Sequence, residues 1–219
     1  MTAEKQLKRV RAHTVYKTAD GTRVPGVTTV LAVLNKPYLV AWANKLGLEG
    51  IDASEYRDAM AGIGRLTHER ILAHFRGVEP DLSEYSPKEV ELSDNAMVSF
   101  YNWLKRGKIE PFVIEEPIVS SEYRFGGTPD LYCLINGERV LVDFKTGKAI
   151  YDEHKIQLAA YSHLLETIGH PSPEARIVRI GRDEREDFEE RIYTDLSLEW
   201  ELFLHAKAIY DLKRRMSKA

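Results

Sequence analysis

The hydrophobic pattern of the chain changes period partway along its length. Leu39, Val40, Trp42, Ala43 and Leu46 recur at helical spacing, and Gly47 and Gly50 follow. The spacing predicts a helix over 37–48. Asp52 with Glu55 three residues on reads as a capping box. It opens a helix running toward Arg76, with Gly62 and Gly64 as weak points, and His68, Ile71, Leu72 and Phe75 share one of its faces. Residues 80–87 read as loop, and 88–106 as another amphipathic helix closed by Gly107. Beyond it the pattern becomes strand-like at 112–123, 131–135 and 139–144. A helix follows over 151–168, ended by Gly169 and Pro171. Strands at 176–180 and 188–193, a last helix over 196–213 and a basic tail complete the chain. Residues 24–34, rich in Val and Thr, fit either a short strand or the Thr-capped start of a helix. Residues 1–23 are polar, with a turn at Asp20-Gly21. This order predicts a mixed α/β fold, one central sheet flanked by helices.

Composition narrows the function classes. The 219 residues carry 34 acidic and 31 basic side chains, a net charge of −3. A nucleic-acid partner would therefore need a local basic groove, not a globally basic surface. No apolar run reaches the roughly 18 residues of a membrane span, and the start of the chain lacks an apolar leader. The expectation is a cytoplasmic protein with no membrane partner. Cys133 is the single cysteine. One thiol supplies neither an internal disulfide nor a cysteine-rich metal site, and it fits a reducing compartment.

The most informative segment lies between Gly126-Gly127-Thr128-Pro129-Asp130 and Asp143-Phe144-Lys145-Thr146-Gly147. Asn136-Gly137 between them is a strong hairpin signal. A two-residue turn there pairs 135 with 138 and, counting outward, Asp130 with Asp143. The Cβ atoms would then stand about 4.5–5.5 Å apart. Lys145 shares the face of Asp143. Leu131, Cys133 and Ile135, against Val142, Val140 and Glu138, form an opposite face able to pack on a helix. Two opposed carboxylates repel by roughly 4 kcal/mol at an effective dielectric near 20. A bridging divalent cation, a shared proton, or a solvated edge hairpin in which Lys145 neutralises one acid would each relieve this. Gln157 and Tyr161 share one face of the following helix. Among the earlier acids Glu115, Glu116 and Glu122, one could add a carboxylate; otherwise they are strand surface.

Together these elements resemble the PD-(D/E)XK nuclease superfamily, in its RecB-like, phage-type exonuclease branch. Gly64-Arg65-Leu66-Thr67-His68 resembles the Gly-x-x-x-His helix. Gly127-Thr128-Pro129-Asp130 resembles Gly-x-x-Asp, and Asp143-Phe144-Lys145 resembles Asp-x-Lys, followed by Thr146-Gly147. Gln157-Leu158-Ala159-Ala160-Tyr161 resembles Gln-x-x-x-Tyr. A softer likeness to phage-type exonucleases covers 24–31 with Trp42 downstream, departing at Gly26 where Ser is expected. The resemblance implies a restriction-endonuclease-like core and metal-dependent hydrolysis of DNA phosphodiesters. Asp130, Asp143, Lys145, Gln157 and Tyr161 would be catalytic. His68, Asp130, Asp143 and the Phe144 carbonyl would hold Mg²⁺ or Mn²⁺. By proximity alone, Arg124, Lys148 and Lys155 are candidate phosphate contacts. The basic ends, Lys5, Lys8, Arg9 and Arg11 with Lys213, Arg214, Arg215 and Lys218, are either solvated surface or a source of nonspecific DNA affinity. Some RecB-like relatives carry an iron–sulfur cluster on four cysteines, which Cys133 alone excludes. Residues 1–219 would form one nuclease domain: an extension (1–23), a mainly helical part (24–110), a sheet core with the hairpin (111–195), and a last helix with its tail (196–219). The resemblance also implies work in recombination, repair or phage DNA processing in a bacterial or infected cell, beside a recombination or strand-annealing partner. A structure-specific or restriction-type endonuclease, or a non-catalytic binding module, remain competing readings.

Overall fold

The computed structural model describes residues 14–182 and 186–218. The basic positions Lys5, Lys8, Arg9 and Arg11 lie outside the described residues. In chain order the elements are β1 (Tyr16–Lys17), β2 (Arg23–Val24), α1 (Val27–Leu31), α2 (Tyr38–Leu48), α3 (Ala53–Arg76), α4 (Pro87–Leu104), β3 (Ile109–Ile114), β4 (Ile118–Ser120) and β5 (Phe125–Gly127). They continue with β6 (Leu131–Ile135), β7 (Glu138–Lys145), α5 (Asp152–Thr167), β8 (Glu174–Ile180), β9 (Phe188–Tyr193) and α6 (Ser197–Met216).

The fold is mixed α/β. A five-stranded sheet, in the order β3-β6-β7-β8-β9, is flanked by helices on both faces. Its β7–β8 pair is parallel and is bridged by α5; the other pairs are antiparallel. Side-chain alternation along β7 sorts the two faces. Val140, Val142 and Phe144 join Ile71, Ala96, Met97, Phe100 and Trp103 of α3 and α4 in one buried cluster. Leu141 points the other way, into a cluster with residues of α1, α5 and α6. Phe144 is 1% exposed and Phe100 0%; burying each such aromatic contributes about 2–3 kcal/mol. Among the described residues no helix is long and apolar enough to cross a membrane.

The helix ends follow local chemistry. Asp52 caps α3 by accepting from Ser54 and Glu55 N–H, and Gly77 leaves it with a left-handed φ of 65°. Ser86 and Glu89 form a full capping box, with Pro87 as the first residue of α4. The Asp20-Gly21 turn is present, with φ 80° at Gly21.

Three expectations need correction. Residues 24–34 are neither wholly a strand nor a Thr-capped helix: β2 ends at Val24 and α1 starts at Val27, capped by Gly26 without a side-chain bond. The run 112–123 is not one strand. It breaks where Glu115 turns left-handed, φ 52°, and Pro117 removes an N–H. The supposed N-terminal extension also contributes structure, the β1–β2 hairpin.

Candidate active site

The β6–β7 hairpin sets the site. Asn136 and Gly137 both have positive φ, 54° and 94°, the requirement of a two-residue turn matched to strand twist. The register pairs Ile135 with Glu138 and continues to Leu131 with Val142. Asp130 therefore stands at the mouth of β6, level with Asp143 of β7. Both are buried, at 8% and 0% exposure. Asp130 does not simply face its counterpart: its Oδ2 accepts from Phe144 N–H at 2.8 Å, extending the ladder by one side-chain bond.

The other motif residues converge here. His68 Nε2, on α3, lies 3.0 Å from Asp130 Oδ2 and 3.2 Å from Phe144 O. Lys145 Nζ lies 2.6 Å from Asp143 Oδ2 and donates to Gln157 Oε1 at 3.1 Å. Gln157 Nε2 in turn donates to Tyr161 Oη at 2.8 Å. A chain of contacts thus runs from α5 through the lysine to the buried carboxylate.

Glycines at the motif positions allow these approaches. A Cβ at Gly127 would stand 2.6 Å from the Tyr161 ring, and one at Gly64 2.7 Å from Thr146 Oγ1. At Gly126 it would sit 2.5 Å from Tyr16, whose hydroxyl pairs with Thr128 Oγ1 at 2.8 Å.

Charge is divided unevenly between the two acids. Burial resists a charged His68 ring, but the charge and hydrogen bond of Asp130 prevail and raise it to about 9. Burial likewise opposes ionisation of Asp130, yet His68 and then Lys145 hold its carboxyl below the usual range. At Asp143 burial prevails over Lys145 and lifts the carboxyl to about 6. The Lys145 ammonium, 2.6 Å from Oδ2, is the polar partner of the Asp143 carboxylate. Burial, then the fields of Asp143 and Asp130, push the Tyr161 hydroxyl well above its ordinary value.

Among the described residues no three His, Cys, Asp or Glu side chains form a ready-made metal cluster. The donors at hand are the Asp143 carboxylate, whose Oδ2 faces Lys145, the Asp130 carboxylate, the Phe144 carbonyl and the His68 imidazole. Hard oxygens with one imidazole suit Mg²⁺ or Mn²⁺.

The site opens into a cleft of about 970 Å³. Arg23, Arg65, Lys145 and Arg214 line it, against Glu69 and Glu115. This local excess of cations sits on a chain of net charge −3. The guessed phosphate contacts are placed elsewhere. Lys155 pairs with Asp152 at 2.9 Å and faces Glu199 at 3.7 Å; Arg124 and Lys148 do not line the cleft. Sequence reasoning missed Tyr16, Arg23 and Arg65 as cleft residues and offered Arg214, with the other basic residues of the tail, as either solvated surface or a source of nonspecific DNA affinity. Arg65 carried a usable signal, being three residues before His68 and hence on the same helical face. Glu115 reaches the cleft, tied to Arg76 at 3.2 Å; Glu116 and Glu122 are exposed.

No protein-family model matches the chain, and no curated protein matches it. Among solved structures it is similar to an alkaline exonuclease from Laribacter hongkongensis at 15% identity, over 88% of this chain and 93% of that one, TM-score 0.38. The same protein in complex with dAMP matches at 16% identity, over 73% and 91%, TM-score 0.34. A protein from Eubacterium rectale assigned as an exonuclease matches at 9% identity, over 67% of this chain and 64% of that one, TM-score 0.40. All three scores lie below 0.5, and the functional reading rests on the residues of the site.

Proposed function

We propose that this chain is a metal-dependent nuclease of the PD-(D/E)XK type, RecB-like, and that it acts as a DNA exonuclease. The observation that carries this reading is the meeting of His68, Asp130, Asp143 and Lys145 at one end of the hairpin, two carboxylates and two cationic groups beside a cation-lined cleft.

Asp143, Asp130, the Phe144 carbonyl and His68, the last once its imidazole gives up the proton it holds against Asp130, would hold Mg²⁺ or Mn²⁺. A bound ion of this kind supplies a water of lowered pKa and charge neutralisation at the scissile phosphate. Lys145 orients the attacking water and offsets the charge that develops on the phosphate oxygens. Gln157 fixes the Lys145 ammonium from the far side, and Tyr161 fixes the Gln157 amide. These two residues therefore act through the lysine, a narrower role than holding water or nucleic acid directly. Arg23, Arg65 and Arg214 contact backbone phosphates without reading bases.

The test uses end-labelled linear DNA and covalently closed circular single-stranded DNA, in Mg²⁺, Mn²⁺ or EDTA, with Asp143→Ala alongside. The expected result is metal-dependent loss of the linear form alone, reduced at least about 100-fold in the variant. Cutting of the circle would replace the exonuclease with an endonuclease. Absence of cleavage with either metal would overturn the nuclease reading.

A further inference from the structure

The last helix carries a surface that neither the sheet nor the cleft uses. α6 buries Phe203, Ala206 and Lys207 against the body of the protein. On an adjoining face Leu198, Leu202, Ile209, Leu212 and Met216 are exposed at 73%, 44%, 44%, 49% and 76%. With His205, also exposed, they follow alternating spacings of four and three residues along the whole helix. That is the a/d spacing of a coiled-coil seam. Single exposed apolar residues are ordinary, whereas a continuous exposed stripe marks a contact surface.

The charges beside the stripe point to its occupant. Glu199 and Glu201 flank its N-terminal part, and Lys213 and Arg215 its C-terminal part. A parallel copy of α6 would bring no opposite charges together across the seam, since Glu201 would meet Ala206 and Lys213 would meet Ala208. An antiparallel copy sets Glu201 beside Arg215 of the other copy, while Glu199 stays with Lys155 of its own chain, 3.7 Å away. The same reversal layers Leu198 on Met216, Leu202 on Leu212 and His205 on Ile209, each layer joining an a position to a d position.

We propose that α6 is a self-association surface through which two copies of this chain pair antiparallel about a two-fold axis level with residue 207. Such a contact is isologous and closes at two copies. Six seam positions per copy are fewer than the roughly 20–30 residues a side of a standard interface, so the dimer is a weak, concentration-dependent one. The proposal does not depend on the nuclease reading.

Sedimentation velocity of the full chain between about 1 and 100 µM tests it. The expected result is a weight-average mass that climbs from one copy toward two. Leu202→Glu and Ile209→Glu should each hold the chain at one copy, with circular dichroism and melting unchanged. Glu201→Arg should weaken the dimer about tenfold, and adding Arg215→Glu to the same chain should restore it. A wild type that stays monomeric overturns self-pairing and leaves the stripe to another protein or to residues 1–13. Three or more copies, a dimer indifferent to both glutamates, or no recovery in the charge-reversed chain would each overturn it as well.

Discussion

Asp143 is the residue at which stability and chemistry pull apart. It is 0% exposed, and burial outweighs the Lys145 ammonium beside it to lift its carboxyl to about 6. An unfolded Asp titrates near 3.9. The folded state thus disfavours the charge: the contribution of Asp143 to stability falls as pH rises from about 4, and its loss is complete above about 6. Asp143→Asn removes that burden. In EDTA at pH 8 the variant should be more stable than the wild type by on the order of 1–3 kcal/mol and unfold at a higher temperature. Added Mg²⁺ should stabilise the wild type and leave the variant unmoved. A variant less stable than the wild type in EDTA would contradict this account. The same residue marks the reach of sequence reading. Period-two alternation places the Cβ atoms of Asp130 and Asp143, but not their rotamers. That Asp130 would turn onto the Phe144 N–H was outside what spacing can say.

At the scale of elements, legibility followed the strength of local signals. Asn136-Gly137 pinned the hairpin register because both residues tolerate positive φ. The long helices α3, α4 and α5 stood out through 3.6-residue periodicity, and α3 also through its Asp52 cap. The β3–β4 break was legible at Pro117, which the strand-like run 112–123 passed over, but not at Glu115, an ordinary acid in a left-handed conformation. The same holds for the glycines. Gly126 looks like a strand breaker in sequence, yet it sits in β5 because the Tyr16 ring lies where its Cβ would be, 2.5 Å away. Gly126→Ala should therefore destabilise the protein by about 1–3 kcal/mol. Tyr16→Ala in the same chain should recover part of the loss, a coupling that chemical denaturation of the four-member cycle would measure. Strictly additive effects would remove the contact as the cause.

Across the whole molecule, a net charge of −3 hides an uneven surface. The cleft gathers Arg23, Arg65 and Arg214 from β2, α3 and α6, residues far apart in sequence, which is why proximity to the motifs pointed instead to Arg124, Lys148 and Lys155. If the cleft holds a nucleic-acid backbone, Arg65→Gln should weaken DNA binding to a similar degree for all sequences. It should also lower the slope of log K against log salt by about 1. Fluorescence anisotropy in an Asp143→Ala background reads this without cleavage. An unchanged slope would exclude Arg65 from phosphate contact. The same measurement on Lys155→Gln should show no change, since Lys155 is engaged by Asp152 and Glu199.

The central claim is that Lys145, poised between Asp143 and Gln157, serves phosphodiester hydrolysis. The most direct test is the initial rate of linear DNA digestion in Mg²⁺ by the wild type and by Lys145→Ala, with the melting temperature of both recorded. The account predicts a rate lower by at least about 100-fold in a variant that remains folded. A folded Lys145→Ala protein that digests DNA at the wild-type rate would contradict it.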